Sequence, residues 1–189
     1  MTENVESPLP PYTYTPGRTP HPISDPAGHS YGAHEPAAAA LESEHWDQNE
    51  PYTRGLRLFN QGYYWEAHEA WEAVWHAAGR SGPVSDFLKG LIKWAAAGVK
   101  AREGRPEGVR RHLDRAMELF NSASQELPDP FAGQSMAHLL ARISATKSNI
   151  HGLASCPDGR PLIYWPEVLQ NPTSDPSGRG ENHRSATRL

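Results

Sequence analysis

Tyr63 to Ala78 reads YYWEAHEAWEAVWHAA and sits between two glycines, Gly62 and Gly79. Wound at about 100° per residue, the stretch separates into two unlike faces. Trp65, His68, Glu69, Glu72, Trp75 and His76 fall on one side, and Ala67, Ala70, Trp71 and Val74 on the other. A surface helix carries one apolar and one charged stripe. Here tryptophans frame the charged stripe and the opposite face is apolar too. The pattern predicts a helix with neighbours on both sides, its carboxylates and imidazoles turned inward. Burying ionised groups costs several kcal/mol each unless they are paired, hydrogen-bonded or metal-bound. This helix is therefore the first place to look for a site.

Outward from it, the chain has a helical middle and loop-forming ends. Among 189 residues, the 18 prolines gather mainly towards the two ends, whereas the middle is rich in Ala, Leu, Glu, Arg and Trp. Residues 1–35 form a Pro/His-rich arm, expected to be extended or disordered because its prolines forbid regular helix and it has little apolar mass. Within it His21, Asp25, His29, His34 and Glu35 crowd together, enough for an arm that folds back as a ligand or lid. Residues 36–150 form the helical domain, and 151–189 a loop, a docking strap (PLIYWPEVL, residues 161–169) and a disordered tail.

Helix starts are marked by prolines and stops by glycines. AAAALESEHWDQ, following Pro36, reads as a short helix. A second begins near Pro51 and stops at Gly62, with Tyr52, Leu56 and Phe59 at helical spacing. After the central helix, Val84 to about Glu103 is the most apolar stretch and the expected core helix, with Gly90 and Gly98 permitting close approach. Pro106 to about Gln125 and Gln134 to about Asn149 complete the set. Gly62, Ala67, Trp71 and Val74 align at an offset of 42 with Gly104, Val109, Leu113 and Ala116, a spacing similar to tetratricopeptide hairpins. The expected fold is all-α: a compact bundle of four to five helices arranged as hairpins, with flexible Pro/Gly-rich arms.

Composition narrows the function classes. A net charge of −4 gives no electrostatic case for nucleic-acid binding. No run approaches the roughly 18 apolar residues of a membrane span. The first ten residues lack the basic and apolar regions of a signal peptide, so a cytoplasmic location is expected. The single cysteine, Cys156, excludes an internal disulfide and reads as an inert loop thiol. A small molecule or a protein remains as partner, and the oligomeric state is open.

The chemistry-bearing constellation is His68-Glu69-Ala-Trp-Glu72, with Glu66 before it and His76 after. Residues three and four apart share a helix face, so His68, Glu69 and Glu72 reach a common point. Mixed Glu/His ligands suit a divalent transition metal (Zn, Mn, Fe or Ni) over Ca or Mg. Glu72 stands where the zinc-protease H-E-x-x-H has its second histidine, so that mechanism does not transfer whole. A hydrolytic version uses His68 and Glu72 as metal ligands and Glu69 as catalytic base, with Asn60, Glu66, His76 and Trp75 as the supporting shell. A further ligand would come from His45, His112 or the arm. In the competing reading Glu69 and Glu72 form a buried network with Trp94, Lys89 or Lys93 that fixes helix register. The chain is then a non-catalytic, tetratricopeptide-like interaction module.

LFNQGYYWEAHEAWEAVW, FLKGLIKWAAAGVKAREG and GVRRHLDRA together resemble the bacterial and archaeal family catalogued as domain of unknown function 309, over about Tyr52 to Phe120. Phe59, Asn60, Tyr63, Glu66, His68, Glu69, Glu72 and Trp75 carry the likeness. The resemblance implies a compact all-helical domain and the label of predicted metal-dependent hydrolase, with no substrate. The arm and the strap lie outside it.

Overall fold

A computed structural model describes residues 7–33, 38–156, 158–166 and 168–171. Among the described residues the regular structure is five α-helices and two short 3-10 turns: α1 (Glu50–Asn60), α2 (Tyr64–Ala77), α3 (Pro83–Arg102), α4 (Pro106–Ala123) and α5 (Met136–Lys147). The first four pair as two hairpins, α1 with α2 and α3 with α4, joined where α3 packs on α2; α5 closes against α4. The fold is all-α, and the helices form a compact bundle.

Local chemistry sets the boundaries. Asn49 caps α1, its side chain accepting from the Tyr52 amide at 3.2 Å, with Pro51 in the first turn. Pro83 and Pro106 open α3 and α4. Gly62 turns α1 into α2 with φ +83°, and a Cβ there would lie 2.8 Å from the Leu162 backbone, so the turn also admits the strap. The offset of 42 holds in three dimensions, since α2 and α4 each begin two residues after Gly62 and Gly104. The two glycines of α3 serve different neighbours: a Cβ on Gly98 would meet the Tyr64 ring of α2 at 2.4 Å, and one on Gly90 the Phe120 ring of α4 at 2.6 Å.

The predicted helix at AAAALESEHWDQ does not form. Only a 3-10 turn, Trp46–Gln48, is present among the described residues of that stretch; Pro36, its expected first residue, lies outside them. Alanines give the segment helix propensity but almost no apolar face. Leu41 is the one buried side chain among its described residues, and a short helix without packing is marginal in water.

Apolar burial centres on α3, where Phe87, Leu88, Leu91, Trp94 and Ala95 are fully enclosed. Trp165 of the strap enters this core, stacked on Phe59 at 5.5 Å and edge-on to Trp94 at 5.7 Å. Its indole N–H donates to Thr146 of α5 at 2.8 Å. The strap is held further by two side-chain amides. Asn60 Nδ2 donates to the Leu169 carbonyl (2.7 Å) and its Oδ1 accepts from the Leu169 amide (3.2 Å). Gln134 makes the same pair of bonds with Gln170. No helix among the described residues is long and apolar enough to cross a membrane.

Candidate metal site and adjoining cleft

Helix α2 presents two different polar surfaces. The first is Glu66, only 6% exposed and bound by the N-terminal arm. Thr13 Oγ1 donates to Glu66 Oε2 at 2.7 Å, the Tyr14 amide donates to Oε1 at 2.8 Å, and His29 Nε2 lies 3.4 Å from Oε1. Tyr14 and His21 pack their rings on Trp65 at 5.3 and 5.4 Å. Residues 7–33 thus lie against α2 without forming helix or strand. His34 and Glu35 fall outside the described residues.

The second surface is the His/Glu cluster one turn on. Ligand atoms of His68, Glu69 and Glu72 all lie within 4.8 Å of one another. His68 Nδ1 is 3.1 Å from Glu69 Oε1 and 4.0 Å from Glu72 Oε2. These three side chains form a group able to coordinate a metal ion. The expectation of a buried site requires correction: their side chains are 26%, 25% and 39% exposed. Helical periodicity assigned them to one face, and that face is half open to solvent. An imidazole beside two carboxylates is a donor set that suits a divalent transition metal, and the half-open face leaves it reachable from solvent.

The remaining candidate residues are dispersed. Asn60 is occupied with the strap and Glu66 with the arm. His76 is exposed. Trp75 donates to Ser85 Oγ at 2.6 Å, with Lys89 Nζ 4.9 Å from its ring centroid. His45 pairs with Glu42 at 3.4 Å. The alternative network to Trp94 is not made, because Trp94 Nε1 is buried without a hydrogen-bond partner. Cys156 sits 3.3 Å from Asp158 Oδ1, and burial, followed by that contact, pushes its thiol up. This is an unreactive setting.

His112 of α4 feels both the cluster and the cations beside it. Its imidazole is held down at about 4, first by burial, then by Lys93, Arg111, Lys100 and His68. It is therefore neutral at pH 7, the form that ligates metals.

Beside the cluster a cleft of about 460 Å³ opens between α1, α2 and the arm. Glu69 lines it together with Trp65, Arg54, Leu58 and Ala73, so one carboxylate belongs to both cluster and cleft. Arg54 escaped the reading of the sequence. The signal was there: Glu50, Arg54 and Leu58 are four apart on α1, share a face and all line the cleft.

These features define an all-α hairpin protein with a half-exposed His/Glu cluster beside a small-molecule-sized cleft. The chain is similar, over residues 52–112, to the family described as domain of unknown function (DUF309). That stretch takes in most of α1, all of α2 and α3, the cluster and His112, and leaves the arm and strap outside. The description carries no activity. No curated protein matches the chain.

Proposed function

We propose that the protein is a metal-dependent hydrolase acting on a small molecule held in the cleft beside α2. The observation that carries this reading is the position of Glu69, which stands within ligand reach of His68 and Glu72 while lining the cleft. His68 and Glu72 would hold the ion, which supplies Lewis acidity for attack on a polarised carbonyl or phosphoryl group. Glu69 would accept the proton of the attacking water on the cleft side. Glu66 holds the arm as the roof, narrowing solvent access, and Trp65 provides an apolar wall. The neutral His112 imidazole, which feels His68, adds no positive charge beside the cluster.

The test is a screen of ester, amide and phosphoester substrates with the metal-loaded protein, repeated with Glu69→Gln. Hydrolysis that needs metal, and that falls by roughly a hundredfold or more in a variant keeping its metal, supports the assignment. Equal activity in Glu69→Gln removes the base from the scheme.

A further inference from the structure

The cleft itself indicates a ligand class. Its 460 Å³ falls in the range of small-molecule sites. Of the three glutamates lining it, Glu66 is already saturated by Thr13, Tyr14 and His29. Glu69 shares an oxygen with His68, and Glu50 is exposed at the start of α1. Arg54 differs from all three. It is half-buried, lines the same cleft, and its guanidinium makes no hydrogen bond or ion pair with the described residues. A guanidinium presents a planar fork of donors matched to a carboxylate. Around it Trp65, Leu58, Ile23 and Ala73 form an apolar wall.

We infer that the cleft binds a small monocarboxylate with an apolar, ring-sized body, its carboxylate on Arg54 and its body against Trp65 and Leu58. One negative charge is the favoured number. A phosphate dianion would meet repulsion from Glu50, Glu66 and Glu69, and a neutral molecule would leave the Arg54 fork unused. An amine finds no carboxylate that is both buried and unengaged. The inference deepens the proposed function, resting on it for the double role of Glu69. Small carboxylates carrying an ester or amide bond become the substrate class of the hydrolytic reading.

The experiment maps backbone amide shifts by NMR on the full chain in chelator, so that the outcome is independent of any metal. The probes are 3-phenylpropionate, 3-phenylpropionamide, phenyl phosphate and phenethylamine. Saturable shifts at Arg54, Trp65, Ala70 and Ala73 are expected with 3-phenylpropionate, and about tenfold weaker binding of the amide and the phosphate. Arg54→Gln should lower carboxylate affinity to that of the amide and leave the amide unchanged; Arg54→Lys, retaining charge without the fork, should fall between. Equal affinity for carboxylate and amide, tighter binding of the amine, no saturable shift at these residues, or an indifferent Arg54→Gln would each overturn the inference. Because no metal is present, such a failure leaves the metal site standing, and an absent metal would not weaken a carboxylate that binds.

Discussion

Thr13 donates its hydroxyl hydrogen to Glu66 at 2.7 Å across 53 residues of chain, and this contact joins a proline-rich arm to the helix that bears the His/Glu cluster. Both side chains are buried. The Tyr14 amide completes the grip on the same carboxylate. The arm thereby walls the cleft, and Arg102, which donates to Thr15 Oγ1 at 3.2 Å, anchors it a second time.

Glu66→Ala should loosen the arm around Thr13 and Tyr14. Removing the acceptor leaves Thr13 and the Tyr14 amide unsatisfied, a cost of about 1–3 kcal/mol. Denaturant unfolding should show that loss, and hydrogen exchange at Tyr14 should accelerate while exchange in α3 stays slow. Unchanged protection at Tyr14 would mean that other contacts hold the arm.

Asn60→Ala should act at the opposite end of the chain. Its amide satisfies both backbone groups of Leu169, so the variant should lose about 1–3 kcal/mol and expose the Leu169 amide to exchange. Asn60→Asp is the sharper comparison: it keeps an acceptor for the Leu169 amide but sets an oxygen against the Leu169 carbonyl. It should be no more stable than the alanine variant. An aspartate variant as stable as the native protein contradicts the two-pronged clamp.

His112 gives a pH signature. Its folded value of about 4, set first by burial and then by Lys93 and the other neighbouring cations, lies below the usual 6.5. The unfolded chain therefore binds more protons between about pH 4 and 6.5. Stability should be fully present above 6.5 and fall as the pH drops through this window. His112→Asn should flatten that part of the stability curve, and NMR of the imidazole should place its midpoint near 4. A midpoint near 6.5 would show that the ring is solvated.

Much of the helical frame is legible in the sequence, because its signals are local. Pro83 and Pro106 mark starts, Gly62, Gly79 and Gly104 mark stops, and the apolar run from Phe87 to Val99 marks the core helix. Trp165 was legible as part of an apolar strap. What local signals miss is whatever depends on partners distant in the chain. Ala38–Ala40 have helix propensity, yet with little to bury they stay irregular. The face of α2 bearing His68 and Glu72 was read correctly as one face, but periodicity does not say how much of it a neighbour covers, and it is half open. Glu66 looked like a companion of His68. Its partners are Thr13, Tyr14 and His29, which no spacing rule connects to it.

The metal site is tested most directly by metal content, measured by mass spectrometry on protein purified without a polyhistidine tag, beside His68→Ala and Glu72→Gln. The account predicts about one equivalent of a transition metal in the native protein, lost in both variants while circular dichroism and melting stay native-like. No metal after reconstitution with Zn, Mn, Fe and Ni, or metal retained in both variants, would contradict it.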